Sequence, residues 1–208
     1  MDETEAKVMA PTVEQTIEFI KKAHAGQVDK AGEPYWKHPV SVMERLGDAP
    51  ENYKLAALLH DVIEDTDYTD DDLRNMGYLD DVVRAVKLLT KRGGMPYLDE
   101  IKHIRDSGNP IAIAVKIADN LDNLDQVRLA KLKPELQLKA GKYRESLAIL
   151  RQSVLDNPKV LRDFTRVGKD QGMELDYDDR TERLAELLSD DSTPDETRLA
   201  EIRKLLDD

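Results

Sequence analysis

The chain has 208 residues, of which 40% are hydrophobic and only 5% are aromatic, and its formal net charge at pH 7 is −12. A field of that sign repels nucleic acid and anionic membranes, which argues against general binding to either. Cysteine is absent, so disulfides and thiolate ligands are excluded as well, and any metal must be held by His and carboxylate side chains. No apolar run approaches the roughly 20 residues of a membrane-spanning helix, and the charged N-terminus lacks the apolar stretch of a secretory signal. We therefore expect a cytoplasmic protein.

The N-terminal half predicts short helices joined by polar loops. Thr12 and Gln15 have the spacing of a capping box, and the apolar residues that follow recur at helical intervals up to about His24. Further helices are predicted over residues 39–46, 53–65, 70–76 and 79–89, followed by a basic, Gly-containing loop over residues 90–95.

The C-terminal half predicts three further helices, followed by a segment rich in charged residues. Helices are expected over residues 97–105, 110–127 and 134–155. The apolar run 111–118 would also suit a buried strand, but its alanine content and helical surroundings favour a buried helix. After residue 157 charged residues dominate. We therefore predict an all-α helical bundle over residues 1–156 and a charged, mostly helical C-terminal appendage over residues 157–208.

A pair of acidic groups follows a His-Asp pair inside an apolar segment of the third predicted helix. His60 and Asp61 are followed four residues later by Glu64 and Asp65. On an unbroken helix, residues four apart share a face, so His60 would stack over Glu64 and Asp61 over Asp65. Burying such charge is costly unless it is paired or bound to metal. The segment therefore predicts a metal site that also performs acid–base chemistry.

Two residues elsewhere in the chain complete a plausible ligand set. Asp119 lies in an apolar segment that is predicted to reach the core, and His38 precedes Pro39 near the start of the second predicted helix. With His60 and Asp61 they offer two imidazoles and two carboxylates. Such a set suits Mn²⁺, Fe²⁺ or Zn²⁺, and helical bundles build internal metal sites from several helices. Taken singly, each residue is explained about as well by packing or ion pairing. Taken together, they favour the metal site. His24 is left open between packing and supporting this site.

Several motifs occur in an order that is typical of one family. They are Ala-His-Ala-Gly-Gln at 23–27, Lys-Ala-Gly-Glu-Pro-Tyr at 30–35, His-Pro at 38–39, Ala-Ala-Leu-Leu-His-Asp-Val-Ile-Glu-Asp-Thr at 56–66, Leu-Thr-Lys at 89–91 and Lys-Ile-Ala-Asp at 116–119. Over roughly residues 12–150 the chain resembles the hydrolase domain of the Rel/SpoT alarmone enzymes, within the HD phosphohydrolase superfamily, and it looks closest to the stand-alone small alarmone hydrolases. The resemblance implies an all-α HD-domain fold and a Mn²⁺-dependent phosphohydrolase. Its expected reaction removes the 3′-diphosphate of (p)ppGpp, giving GDP or GTP and pyrophosphate.

The resemblance also implies roles for individual residues. These are His38, His60, Asp61 and Asp119 as metal ligands, Glu64 and Asp65 acting on the attacking water, and Lys30, Asn123, Lys142 and Arg144 near the substrate. Other side chains that could offset phosphate charge or stack on a base or ribose are Lys91, Arg92, Lys116, Lys139, Tyr35 and Trp36. The sequence does not divide the work between Glu64 and Asp65.

The chain departs from the family pattern where the base is recognised. Asp29 stands where the alarmone hydrolases usually carry an Arg that lies against the guanine ring, and residues 120–123 read Asn-Leu-Asp-Asn instead of Arg-Leu-His-Asn. Two alternatives therefore stay open. One is an HD phosphohydrolase acting on NADPH 2′-phosphate or a nucleoside monophosphate, and the other is a non-catalytic regulatory binding module. In the enzyme reading the partner is a small nucleotide, the metal is Mn²⁺ or another divalent transition metal, and a homodimer is left open.

Overall fold

The computed structural model describes residues 10–132, 137 and 141–156. In this part of the chain the regular structure is helical, and the only β-type pairing is an isolated bridge between Val28 and Pro34. The predicted all-α class is confirmed. The helices are α1 Val13–Ala23, α2 Lys37–Glu44, α3 Glu51–Leu59, α4 Val62–Asp65, α5 Asp70–Asn75, α6 Asp80–Leu89, α7 Tyr97–Ser107, α8 Pro110–Asn123, α9 Gln126–Ala130 and α10 Gly141–Asp156.

Two helices form the centre of the bundle. α3 packs against α1, α2, α6 and α8, and α8 in turn contacts α2, α6, α7 and α10. α8 is buried on nearly every side, which agrees with its predicted buried apolar run. It begins where the Asn109 side chain accepts the backbone N–H of Ala112, with Pro110 at the first helical position. Because α2 packs against both of these helices, His38 on α2 is brought close to the end of α3 and to Asp119 on α8.

The predicted third helix is broken at His60 and Asp61. α3 ends at Leu59 and α4 begins at Val62, so the single helix expected over residues 53–65 is wrong in this detail. The cause is local: Nδ1 of His60 lies 2.7 Å from the carbonyl oxygen of Ala57, which the N–H of Asp61 would use in a continuous helix. The N–H of Asp65 still donates to the Asp61 carbonyl at 2.9 Å, so these two acids keep their shared face.

The helix predicted over residues 110–127 also divides into two. α8 ends at Asn123, and the Asp125 side chain accepts the backbone N–H groups of Val127 and Arg128, which starts α9. Aspartate is a strong N-cap because its carboxylate satisfies N–H groups that have no partner within the helix. The new helix direction turns Arg128 back toward α2.

The last described helix belongs to the same core. Leu147, Leu150 and Val154 of α10 are buried, and α10 packs against α7 and α8. Position 134, where this helix was predicted to begin, and the appendage over residues 157–208 lie outside the described residues. The domain boundary at residue 156 therefore stays a prediction. None of the described helices is both long enough and apolar enough to cross a membrane.

Candidate metal centre

The four predicted metal ligands meet between α2, the α3–α4 junction and α8. Nε2 of His38 lies 3.2 Å from Asp119 Oδ1 and 4.0 Å from Asp61 Oδ2, and Nε2 of His60 lies 3.0 Å from the same Asp61 oxygen. Ligand atoms of His38, His60 and Asp119 all lie within 4.8 Å of one another, and these three residues are buried. Three separate parts of the sequence thus converge on one small volume.

The orientation of His60 fits a metal ligand. Its Nδ1–H donates to the Ala57 carbonyl, which directs Nε2 into the cluster. Among the described residues this buried Nε2 makes no well-aligned hydrogen bond, and its close neighbour is the Asp61 carboxylate at 3.0 Å, so nitrogen and oxygen both face the same point. Two imidazole nitrogens beside carboxylate oxygens form a donor set that suits a divalent transition metal. The residues present therefore fit a metal ion.

His38 is held from behind by a carboxylate. Its Nδ1 lies 2.8 Å from Asp122 Oδ2, so Nδ1–H donates there and Nε2 faces the other ligands. Asp122 is held in turn by Arg45, whose Nε lies 3.0 Å from Oδ1, and by Arg128, whose guanidinium lies 3.1 Å from Oδ2. Carboxylates in this position fix the tautomer and direction of a metal-binding imidazole. This role of Asp122 was not predicted from the sequence, although Asp122 follows Asp119 by three residues and so shares its helix face.

The cluster favours positive charge at its centre. Burial alone would lower the pKa of His38, but Asp119 and Asp122 raise it to about 9. Burial likewise works against ionised Asp119, yet Lys116 and both imidazoles hold the pKa of this carboxyl well below its usual range. An environment that retains protons on imidazoles and removes them from carboxyls attracts a cation, which would displace the imidazole protons on binding.

Glu64 and Asp65 both line the cavity beside this cluster. The Tyr35 hydroxyl lies 2.7 Å from Asp61 Oδ2 and 2.9 Å from Asp65 Oδ2, so it bridges a predicted ligand and a predicted catalytic acid. Burial, together with these two carboxylates, raises the pKa of Tyr35 far above its usual value, and the hydroxyl therefore remains a donor. Glu64 is held instead by Lys91. The two acids thus have different partners.

A cavity of about 360 Å³ opens from the cluster and is bordered by basic and aromatic side chains. The predicted substrate residues Lys30, Asn123 and Lys142 line it, whereas Arg144 is exposed and lies outside its wall. Asn123 also donates from Nδ2 to Asp119 Oδ1 at 2.6 Å, which positions a predicted metal ligand. Lys139 lies outside the described residues.

The cavity wall formed by α7, α8 and α10 joins lysines to tyrosines. Nζ of Lys142 lies 4.5 Å from the centre of the Tyr97 ring and 4.9 Å from that of Tyr143, and Nζ of Lys116 lies 5.8 Å from the Tyr97 ring. The Tyr97 hydroxyl donates to Asn120 at 2.8 Å, which anchors the ring to α8. Tyr97 is a second residue that the sequence analysis missed, because nothing in its local pattern indicates this position.

Asp29 does not face the cavity as an isolated charge. Its carboxylate accepts the backbone N–H groups of Ala31 at 2.8 Å and Glu33 at 3.0 Å, and it pairs with Arg128 at 3.4 Å. The acid therefore shapes its own loop and draws in an arginine from α9. Arg128 lines the same cavity, so a guanidinium group is present in this region although position 29 is acidic.

Three other residues considered in the sequence, His24, Trp36 and Arg92, lie outside the ligand cluster. His24 is buried, and its Nδ1 lies 2.9 Å from the side chain of Gln27, which donates to the Asp65 carbonyl at 2.7 Å. His24 therefore supports the acidic segment without joining the ligands. Trp36 packs against the core, and Arg92 contacts His103 at 2.6 Å without lining the cavity.

Comparison with known proteins agrees with this geometry. Residues 35–125 match the family model described as HD domain. The chain is 32% identical over 123 residues to a guanosine-3′,5′-bis(diphosphate) 3′-pyrophosphohydrolase of Aquifex aeolicus, which covers 55% of this chain and 18% of that protein. It is 31% identical over 146 residues to the bifunctional (p)ppGpp synthase/hydrolase SpoT of Escherichia coli, covering 65% of this chain and 20% of that protein. The chain thus spans about a fifth of the length of these curated relatives.

A solved structure is similar over most of the chain. It is described as a metazoan ortholog of SpoT that hydrolyzes ppGpp, and the match covers 83% of this chain and 99% of that one, with a TM-score of 0.57 and 22% sequence identity. At this identity the likeness supports the fold. The match to the HD domain begins three residues before His38 and ends after Asp122, so it contains the whole predicted ligand set.

Proposed function

We propose that the HD domain at residues 35–125 of this chain is the centre of a metal-dependent phosphohydrolase that removes the 3′-diphosphate of (p)ppGpp as pyrophosphate. The observation that carries the proposal is the cluster of His38, His60, Asp61 and Asp119, of which His38, Asp61 and Asp119 line a cavity bordered by lysines. The relatives whose names describe (p)ppGpp hydrolysis support the same substrate.

The ligand cluster is proposed to hold Mn²⁺. His38 and His60 would bind through Nε2, because the Nδ1 atoms of both rings are used by Asp122 and by the Ala57 carbonyl. When bound, a divalent ion lowers the pKa of a water molecule and offsets charge on a phosphoryl oxygen. Another divalent transition metal could occupy the same nitrogen and oxygen donors.

Glu64 is proposed as the group that accepts the proton of the attacking water. It lines the cavity one turn after the His60–Asp61 pair, and its carboxylate is 18% exposed. Asp65 is proposed to position the site, since it shares the Tyr35 hydroxyl with Asp61. In the balanced step, water oxygen bonds to phosphorus, the bond from phosphorus to the ribose 3′ oxygen breaks, and that oxygen takes up a proton while pyrophosphate leaves.

The cavity cations are proposed to bind the two diphosphate groups. Lys30, Lys91, Lys116, Lys142 and Arg128 all line the cavity, although the chain as a whole is acidic. At ordinary ionic strength, salt screens charges that lie more than about 10 Å away. A local group of cations can therefore attract an anionic substrate although the chain as a whole is negative. The presence of several cations around one cavity favours a polyphosphate over a singly charged substrate.

The test is a substrate panel assayed with Mn²⁺ and scored for pyrophosphate against inorganic phosphate. The panel contains ppGpp, pppGpp, NADPH and nucleoside monophosphates, and the control protein is His60→Ala. We expect pyrophosphate from the first two substrates only and none with His60→Ala. Full activity of His60→Ala would refute the proposed mechanism.

A second candidate is hydrolysis of another nucleotide, either at the 2′-phosphate of NADPH or on a nucleoside monophosphate. It is favoured by the acidic residue at position 29, whose pairing with Arg128 gives the base region a different arrangement of charge. Release of inorganic phosphate from these substrates, without pyrophosphate from ppGpp, would select it. Lack of metal binding and of all turnover would instead favour a non-catalytic binding module.

A further inference from the structure

The proposed base, Glu64, is engaged at both oxygens in this structure. Nζ of Lys91 contacts Oε1, and the backbone N–H of Lys91 lies 3.2 Å from Oε2. Lys91 begins the loop between α6 and α7 and lines the same cavity as Glu64. A carboxylate oxygen that already accepts a hydrogen bond from an ammonium group is not free to accept a proton from a water molecule. Catalysis by Glu64 therefore requires this ammonium group to move.

The two lysine–acid pairs in the cavity differ in how easily they can separate. Lys116 and Asp119 are 11% and 8% exposed and lie 2.9 Å apart, so separating them would leave buried charges without partners. The side chain of Lys91 is 54% exposed and that of Glu64 is 18% exposed. Exposed ion pairs contribute little stability, and water can take the place of either partner. The Lys91–Glu64 pair is thus the exchangeable one.

The surroundings of Lys91 favour an incoming anion. Burial and the nearby charges of Lys30, Lys91 and Lys116 lower the pKa of Lys142, which indicates that these ammonium groups repel one another. Within the described ranges, no carboxylate lies within ion-pair distance of Lys30 or Lys142. A bound diphosphate would supply the missing negative charge. Its oxygens would then compete with Glu64 for Lys91.

The loop that carries Lys91 has room for such a change. Gly93 and Gly94 follow it, and a Cβ atom at either position would meet nothing within 4 Å. Gly94 has a φ of +84°, a backbone conformation that residues with side chains rarely adopt. The side chain of Lys91 is itself 54% exposed, so its ammonium group can leave Glu64 without displacing packed atoms.

We infer that Lys91 is a substrate-responsive switch, which holds Glu64 in the free protein and transfers its ammonium group to a phosphate oxygen of the bound substrate. The transfer frees Oε1 of Glu64 as the proton acceptor only when substrate is present. This inference rests on the proposed function and deepens it, because it assigns to Lys91 both a substrate contact and control of the base.

The test is a double-mutant cycle on the binding of inorganic pyrophosphate to the full chain loaded with Mn²⁺, measured by calorimetry. Lys91→Met is expected to weaken binding about tenfold, since a charge-assisted contact to phosphate is lost. Glu64→Gln is expected to tighten binding about threefold, because Lys91 no longer has an internal partner. In the Lys91→Met background, Glu64→Gln is expected to lose this specific effect and to change affinity no more than a general loss of one negative charge does.

Asp65→Asn is the matched control, since it removes one negative charge from the same cavity at a residue that contacts Tyr35 instead of Lys91. It is expected to change affinity by the same factor in both backgrounds. If Glu64→Gln also behaves in this way, its effect is a general loss of negative charge and the switch is refuted. If the wild-type protein binds Mn²⁺ but no pyrophosphate, the proposed function fails, and the switch fails with it.

Discussion

The carboxylate behind His38 allows the sharpest test of the metal centre. Asp122→Asn keeps the size of the side chain but removes the charge that accepts Nδ1–H of His38 at 2.8 Å. The variant is expected to bind Mn²⁺ more weakly, because the charged acceptor both orients the imidazole and strengthens it as a donor. The change lies behind the ligands and leaves all four of them in place.

The structure sets the expected size of this effect. Replacing a group that holds a metal ligand typically costs 10- to 100-fold in affinity, or about 1.4–2.7 kcal/mol. Asp122 Oδ2 also receives the Arg128 guanidinium at 3.1 Å, and Oδ1 receives Arg45 at 3.0 Å. These cations share the negative charge that Asp122 offers to His38. We therefore expect a loss at the lower end of this range, about tenfold in affinity.

The assay is calorimetric titration of Mn²⁺ into metal-free protein at fixed pH. Asp125→Asn is the matched control: it removes the same charge from the other carboxylate held by Arg45, keeps an N-cap residue at α9, and has no contact with His38. We expect Asp125→Asn to bind Mn²⁺ within about twofold of the wild type, since exposed charges have weak effects. Equal losses in the two variants would refute the reasoning, because the effect would then depend on net charge and not on the orientation of His38.

The remaining predictions test catalysis, protonation and packing. His60→Ala is expected to abolish stoichiometric Mn²⁺ binding and to lower kcat by at least about a thousandfold, as measured by pyrophosphate release; near-normal turnover would contradict the ligand assignment. In the metal-free protein the pKa of His38 is raised from 6.5 to about 9, so its stabilising effect is fully present below pH 6.5 and is lost as pH rises toward 9. Urea unfolding in the presence of a chelator is therefore expected to show a loss of up to about 3 kcal/mol across this range, and a flat profile would contradict the proposed environment of His38. Leu150→Ala is expected to lower the free energy of unfolding by about 2–5 kcal/mol, because Leu150 is fully buried, whereas the exposed control Glu145→Ala should change it by less than about 0.5 kcal/mol.

Much of the fold could be read from local patterns. Helical spacing, caps and prolines predicted most of the described helices, including α5 after the cap at Thr69 and the buried α8. Two boundaries were wrong because a side chain took over a backbone partner. Nδ1 of His60 uses the Ala57 carbonyl, and Asp125 caps a new helix. Both residue types compete with the backbone for hydrogen bonds, and whether they succeed depends on their surroundings.

The candidate site was predictable in its residue types and less so in its connections. His60, Asp61 and Asp119 stood out because polar groups in apolar segments need partners, and His38 was added as the second imidazole of the ligand set. Asp122 and Tyr97 were missed because their roles depend on contacts with distant parts of the chain. His38 and Asp122 are 84 residues apart, and Tyr97 and Asn120 are 23 apart. The predicted substrate residue Arg144 lies outside the cavity wall, and its role stays a prediction.

The sequence by itself determined the helical class, the donor atoms available to a metal and the acidic pair beside them, because these follow from residue type and local spacing. Only the tertiary structure decided which nitrogen of each imidazole faces the centre, that Asp29 pairs with Arg128, and that Lys91 holds Glu64. The physical reason is that hydrogen bonds and ion pairs act over a few ångströms. Their partners are therefore chosen by the packing of helices and loops that are far apart in the chain, which no local pattern encodes.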